Sequence, residues 1–268
     1  MAIVDWREAR EAVATMAPRV TALIRSVEHP VAPALGEWDL TEVAIHLSHA
    51  LDGVAAMADG GGSMLTDLWG LGDLTKALVK GEETRDLGAL ADRIDASTER
   101  FLQGMETAKD DGVRGWLVEG TEVPLSTLTC HALNELVVHG RDIAMAEGAP
   151  WPIERRHAAL ILTGFMFPAC GQLGRAMVDQ KGAGVRASFD IRLRGGGGVV
   201  MRFDNGDLTV EPPSSGPYDC HLSVDPEAFM LVSWGRISQW PAIFSGKLVA
   251  WGRKPWLGVR LRSLMKNP

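Results

Sequence analysis

The fold class is decided by residues 185–210, VRASFDIRLRGGGGVVMRFDNGDLTV. Apolar and polar residues alternate on both sides of the four-glycine run, and this pattern predicts strands over 185–194 and 199–203. The turn Asp204-Asn205-Gly206-Asp207 follows. Asn-Gly is the strongest short hairpin signal, because both residues tolerate positive φ. A third strand is therefore expected at 208–210, and this part of the chain is predicted to form a sheet.

Before residue 185, apolar residues recur at helical spacing, from Trp6 to about residue 180. Asp39 or Thr41 is suited to cap the second helix, and Gly60-Gly61-Gly62 is expected to end it. Residues 63–83 are predicted to be a loop with one short helix. Five helices are expected, near residues 5–26, 39–58, 86–108, 125–147 and 154–180.

After residue 210, strands are expected at 220–224 and 247–251. A short helix is expected from Asp225, and a terminal helix over 253–265. Helices followed mainly by strands indicate an α+β protein with two domains of different class. We therefore expect a helical domain over residues 1–182 and an α+β domain with a mainly antiparallel sheet over residues 183–268.

The composition narrows the functional class. The chain has 27 Lys and Arg against 34 Asp and Glu, a formal net charge of −7, which disfavours a nucleic-acid partner. No stretch approaches the ~20 apolar residues of a membrane span, and residues 1–10 lack the apolar region of a signal peptide. We therefore expect a cytoplasmic protein.

The three cysteines, at positions 130, 170 and 220, favour neither a disulfide framework nor a thiolate zinc site.

Residues 131–142, HALNELVVHGRD, carry the strongest chemical signal. On a helix, Glu135, His139 and Asp142 lie within about 60° of one another on a largely apolar face. A divalent metal would explain buried carboxylate and imidazole groups there. Since residues eight apart are about 12 Å apart along a helix, His131 and His139 are unsuited to one ion. Two pairings stay open, Glu135 with His139 and His131 with Glu135.

A third donor is expected from the second helix, where His46 lies on the apolar face and His49 at its edge. Two histidines and one carboxylate leave coordination positions open, as in a catalytic metal site that activates water or a thiol. Asp142 is placed to orient His139. The structural alternative is that these histidines are satisfied core residues without a metal.

The sequence resembles the mycothiol-dependent maleylpyruvate isomerase family. The likeness lies in Trp38, His46 eight residues later, Asn134-Glu135, His139 and Asp142. The resemblance implies an N-terminal DinB-like four-helix bundle, here with an extra helix. It also implies a metal ion, usually zinc, held by His46, Glu135 and His139.

The C-terminal part is similar to another known domain. Residues 244–248, FSGKL, followed by Trp251-Gly252, resemble the end of sterol carrier protein type two domains. That α+β module is the usual C-terminal partner in the isomerase family, and the resemblance covers about residues 8–265.

The resemblance implies an enzyme that uses mycothiol as cosubstrate. The thiol binds the metal as thiolate and adds to an electrophilic small molecule, which gives a cis-trans isomerase if the thiol leaves again and an S-transferase, often a detoxification enzyme, if it stays. Arg236, in Ser233-Trp234-Gly235-Arg236, is expected to be a catalytic residue that binds a substrate carboxylate. A purely structural arginine is the alternative.

A second class of function competes with the enzyme. A non-catalytic carrier or sensor would bind a small molecule or lipid in the C-terminal domain, and its metal site would be structural or vacant. The expected partners are mycothiol and a small electrophile, and the chain is expected to act as a monomer or a dimer.

Overall fold

The computed structural model describes residues 4–61, 65–107 and 111–266. The chain divides into two compact units, one over Asp5–Ile153 and one from Glu154 onward. Residues 62–64 and residue 108, which belong to the predicted break and the predicted end of the third helix, lie outside the described residues.

The first unit is a four-helix bundle with one extra helix. Helices α1, α2, α4 and α5 pack against one another, and α3 packs on α2. Its elements are α1 (Trp6–Arg25), β1 (Pro33–Leu35), β2 (Trp38–Asp39), α2 (Leu40–Ala58), α3 (Leu71–Gly81), α4 (Leu87–Thr107), β3 (Val113–Gly115), β4 (Glu122–Pro124) and α5 (Leu125–Ala146). The first four predicted helices and the short helix before α4 are confirmed.

The start of α2 is fixed by a capping box. The carboxylate of Asp39 accepts a hydrogen bond from the backbone N–H of Glu42, whose side chain accepts from the N–H of Asp39. Thr41, the alternative cap, instead donates its hydroxyl to the carbonyl of Pro30. A capping box satisfies two otherwise unpaired N–H groups and stabilises the first turn of α2.

Two short antiparallel hairpins, β1–β2 and β3–β4, were not predicted. Their strands have two or three residues, too few to show an alternating pattern. Both matter for the centre of the bundle, because β2 carries Trp38 and the loop after β3 carries Trp116.

Helix α5 is the central helix of the bundle and is buried along nearly its whole length. At Gly140, a Cβ atom would lie 2.4 Å from the ring of Trp151. Trp151 donates its indole N–H to the carbonyl of Val137, and the guanidinium of Arg19 lies 3.9 Å from the centroid of its ring. Glycine is therefore required where the segment after α5 folds back on the helix.

The second unit is built on one five-stranded sheet of order β7-β6-β5-β8-β9. Only the β5–β8 pair is parallel, so the sheet is mainly antiparallel, as predicted. Its elements are α6 (Arg155–Ile161), α7 (Phe167–Leu173), β5 (Arg186–Leu193), β6 (Gly198–Asp204), β7 (Asp207–Glu211), β8 (Cys220–Val224), α8 (Pro226–Ser233), α9 (Gln239–Phe244), β9 (Leu248–Trp251) and α10 (Trp256–Arg260).

The predicted hairpin between β6 and β7 is confirmed. Asn205 has φ 50° and Gly206 has φ 89°, the two positive values that a tight Asn-Gly turn requires. Phe189 and Ile191 of β5 are fully buried at the centre of the sheet. The alternation of buried positions along β5 thus anchors the core of this unit.

The helix predicted over 154–180 is interrupted. It runs as α6, a π-helical turn over Leu162–Met166, α7 and a 3-10 turn over Gly174–Met177. Pro168 has no N–H to bond the carbonyl of Gly164, and Gly174 has φ 45°. These two residues explain why the helical hydrogen bonding changes there.

The predicted C-terminal helix over 253–265 is also shorter. It is formed by α10 and a 3-10 turn over Leu261–Leu264. Pro255 precedes α10, and Arg253 and Lys254 instead form ion pairs with Asp219. Proline is accepted at the start of a helix but not inside it. Helix α9 was not predicted.

The compact units divide earlier than the predicted domains 1–182 and 183–268. Helix α6 packs on α8, and α7 packs on β7, so both helices belong with the sheet. The boundary near residue 182 marks the change from helix to strand. Among the described residues, none of the helices is both long enough and apolar enough to cross a membrane.

Candidate metal centre

Three side chains from two helices of the bundle meet at one point. His46 lies on α2, and Glu135 and His139 lie one turn apart on α5. The Nε2 atoms of His46 and His139 are 3.1 Å apart, and Oε2 of Glu135 lies 3.5 Å and 3.4 Å from them, respectively. Glu135 and His139 are buried, and His46 is nearly so.

This donor set fits a divalent metal ion. A tetrahedral ion with bonds of about 2.1 Å has ligand atoms about 3.4 Å apart, and the three observed separations lie close to that value. Two imidazole nitrogens and one carboxylate oxygen also form a donor set that zinc accepts in catalytic sites. That the three residues bind a metal stays a prediction.

Of the two pairings that the sequence leaves open, the geometry favours Glu135 with His139. His46 approaches both of these side chains, whereas His131 approaches the other oxygen, Oε1 of Glu135, at 3.4 Å and lies outside the cluster. His49 is directed elsewhere, with its Nε2 3.2 Å from Oε2 of Glu82. The choice of His46 over His49 as the inward residue therefore agrees with the side-chain placement.

Asp142 lies next to His139, as its spacing predicts. Oδ2 of the aspartate is 3.1 Å from Nδ1 of His139, which leaves Nε2 directed at His46 and Glu135. Burial acts to lower the pKa of His139, but the contacts with Asp142 and Glu135 outweigh it and raise the pKa to about 9. Asp142 thus fixes which ring nitrogen faces the centre.

The pKa values of the other two residues of the centre, His46 and Glu135, favour a neutral imidazole and a charged carboxylate. Burial lowers the pKa of His46, and the neighbouring His139 lowers it further. Burial acts to raise the pKa of Glu135, but contacts with His131, His139 and His46 hold it well below its usual range. Glu135 and His46 are therefore in the charge state that a metal ion requires, whereas His139, with its raised pKa, must give up a proton when a metal binds. The ring centroids of Trp38 and His46 lie 5.4 Å apart.

Arg236, the predicted catalytic arginine, lies in the second unit after α8. It is half-buried and donates a hydrogen bond from Nη1 to the carbonyl of Trp234. Its catalytic role stays a prediction.

The three cysteines are free thiols. Cys130 and Cys220 are buried. Burial raises the pKa of the Cys170 thiol to about 12, and burial also raises that of Cys220. None of the three belongs to the cluster of His46, Glu135 and His139.

Sequence reasoning missed the surroundings of Glu135. Asn134 donates an amide hydrogen to Oε1 of Glu135 at 3.2 Å, and Trp116 donates its indole N–H to Nδ1 of His131 at 3.5 Å. The four-residue spacing of His131 and Glu135 indicates that these two can meet. Trp116 comes from an unpredicted hairpin, so no sequence signal pointed to it.

Among solved structures, the chain is similar to that of the mycothiol-dependent maleylpyruvate isomerase. The match has 14% identity, covers 92% of this chain and 93% of that chain, and has a TM-score of 0.53. A histidine-to-alanine mutant of that isomerase matches with the same values. At this identity, the likeness shows the fold. A sec-alkylsulfatase from Pseudomonas sp. has a TM-score of 0.34, too low to carry an argument. No curated protein matches the sequence significantly.

Two family models match the sequence. The SCP-2 sterol transfer family matches residues 173–254, which include the whole five-stranded sheet. The mycothiol maleylpyruvate isomerase N-terminal domain matches residues 6–144, more than half of the chain, and this range contains His46, Glu135 and His139. The resemblance noted in the sequence is thereby confirmed, and the chain belongs to the mycothiol maleylpyruvate isomerase family.

Proposed function

We propose that this protein is a metal- and mycothiol-dependent enzyme that adds the thiol to an electrophilic small molecule. The observation that carries the proposal is the buried cluster of His46, Glu135 and His139, whose donor atoms have the spacing of metal ligands. Family membership supports mycothiol as the thiol.

His46 Nε2, His139 Nε2 and Glu135 Oε2 would hold the ion, and zinc is the metal that this donor set suits best. A bound divalent ion favours the thiolate form of a nearby thiol at neutral pH, which makes the thiol a better nucleophile. Three protein donors leave room for such a ligand.

The surrounding residues control the orientation and the charge of the proposed metal ligands. Asp142 holds Nδ1 of His139 and so keeps Nε2 directed inward. The depressed pKa of His46 keeps that imidazole neutral, and the depressed pKa of Glu135 keeps the carboxylate charged. The burial of Glu135 and His139 limits competition from water.

In the reaction the thiol loses its proton, and its sulfur forms a bond to an electron-poor carbon of the substrate while the π bond to that carbon breaks. If the sulfur–carbon bond breaks again after rotation about the former double bond, the enzyme is a cis-trans isomerase. If the bond stays, the neighbouring carbon takes up a proton, and the enzyme is an S-transferase. Arg236 is proposed to bind a substrate carboxylate, because its planar guanidinium can engage both oxygens. Replacement by lysine would keep the charge and lose this geometry.

The experiment is metal analysis and calorimetric titration with mycothiol on wild type, His46→Ala and His49→Ala. We expect about one zinc ion per chain in the wild type and metal-dependent binding of mycothiol. His46→Ala should lose both, because one of three ligands is gone. His49→Ala is the matched control, since it lies three residues later on α2 but contacts Glu82. It should keep both.

Two results would contradict the proposal. One is a wild-type protein that remains metal-free after zinc reconstitution and does not bind mycothiol. The other is a His46→Ala variant that loses thermal stability but still binds mycothiol, which is the result expected of a carrier with a structural metal.

A further inference from the structure

His131 is a buried histidine that the proposed metal cluster does not use. It lies on α5 one turn before Glu135, and 8% of its surface is exposed. Its Nε2 is 3.4 Å from Oε1 of Glu135. The other carboxylate oxygen, Oε2, is the one that faces His46 and His139. His131 therefore contacts the oxygen of Glu135 that is directed away from the cluster.

Trp116 contacts Nδ1 of His131, the ring nitrogen that does not face Glu135. The indole N–H can only donate a hydrogen bond, and it lies 3.5 Å from Nδ1 of His131. Nδ1 is then the accepting nitrogen, which leaves Nε2, the nitrogen that faces Glu135, to donate to the carboxylate. Trp116 is almost completely buried, and its ring meets the imidazole edge-on, which fixes the orientation of His131.

Asn134 adds a second donor to the same oxygen. Its amide lies 3.2 Å from Oε1 of Glu135 and is also buried. With His131 and Asn134 directed at Oε1, one carboxylate oxygen is held by the protein and the other is left for the centre of the bundle.

We propose that His131, oriented by Trp116, is a positioning residue that makes Glu135 present Oε2 alone to the metal. The proposal rests on the proposed function, because it assumes that Glu135 is a ligand. Hydrogen-bonding partners behind a ligand restrict its rotation and raise metal affinity, and their loss typically weakens binding about 10- to 100-fold.

The experiment compares His131→Leu and His131→Gln in the full chain, prepared metal-free. Zinc affinity is measured by competition with a chromophoric chelator, and thermal stability is measured without metal. Leucine fills the site but cannot donate, so we expect zinc affinity to fall by about tenfold or more. Glutamine can donate to Glu135 and accept from Trp116, so its affinity should stay within about threefold of wild type.

Two further variants complete the design. Trp116→Phe keeps an aromatic ring and loses the indole N–H, and we expect a drop of roughly threefold to tenfold in zinc affinity. If His131→Leu does not fold, Trp116→Phe tests the proposal in its place. His49→Leu is the control, because His49 is a histidine of the same bundle that contacts Glu82 instead of Glu135. Its zinc affinity should equal that of the wild type.

The possible failures can be told apart. Wild-type zinc affinity in His131→Leu, even with a lower melting temperature, would show a merely structural role and overturn the inference alone. Equal loss of affinity in the leucine and glutamine variants would identify His131 as a ligand and also overturn it. A wild-type protein that binds no divalent metal would overturn the proposed function and this inference with it.

Discussion

At the scale of single residues, Asp142 has a measurable effect on the pKa of His139. Its carboxylate lies 3.1 Å from Nδ1 of His139 and contributes to the raised pKa, about 9, of that imidazole. In Asp142→Asn the contact can persist but the negative charge is lost. We therefore expect the pKa of His139 in the metal-free protein to fall toward 6.5, measured by following its ring proton in an NMR titration.

The same substitution should change how stability depends on pH. A pKa raised in the folded state stabilises the protein below pH 6.5, and this contribution disappears as the pH rises through about 9. Metal-free wild type should lose on the order of 3 kcal/mol over that interval, and Asp142→Asn should lose less. Urea unfolding at several pH values measures both. A His139 that still titrates near pH 9 in the variant would contradict the expectation.

The residues of the centre were predictable to different degrees. Glu135, His139 and Asp142 share one helix, so a spacing of three or four residues places them on one face. His46 required the further inference that the apolar faces of two helices meet. The contact between Trp116 and His131 depends on a hairpin loop, and loops of this kind carry no periodic signal.

At the scale of elements, Gly140 determines how closely the segment after α5 can approach that helix. In Gly140→Ala the new Cβ would lie 2.4 Å from the ring of Trp151, which is held by Val137 and Arg19. We expect a loss of about 1–3 kcal/mol in the free energy of unfolding, although alanine has the higher helix propensity. Urea unfolding of the metal-free protein gives the value.

Gly72→Ala provides the matched control for this substitution. Gly72 lies within α3, and a Cβ atom there would have nothing within 4 Å. Its unfolding free energy should stay the same or rise by up to about 1 kcal/mol. Equal destabilisation by both substitutions would mean that Trp151 is not the cause.

The long elements were predictable because their patterns repeat. Helices α4 and α5 each span about six turns, so the apolar period is sampled several times. The strands around Asn205 and Gly206 were marked by their turn. The π-helical turn over Leu162–Met166 was missed, because the pattern continued through it while the hydrogen bonding changed near Pro168.

At the scale of the whole molecule, zinc should stabilise the first unit. All three candidate ligands belong to residues 5–153. With zinc at 100 times its dissociation constant, binding adds about 2.7 kcal/mol to the free energy of unfolding. We expect hydrogen exchange, measured by mass spectrometry, to slow in α2 and α5 and to change little in β5–β9. An equal gain of protection in the sheet would contradict this, and zinc added to His46→Ala is the control.

The protonation state of the cysteines has a consequence for the proposed reaction with an electrophile. A thiol reacts as its thiolate, and the pKa of Cys170, raised to about 12 by burial, keeps this thiol protonated at pH 7. Cys130 is completely buried, and Cys220 is buried with a raised pKa. The three cysteine thiols are therefore poor nucleophiles, so in the proposed reaction an electrophile that alkylates thiols would react with mycothiol in preference to the protein's own cysteines.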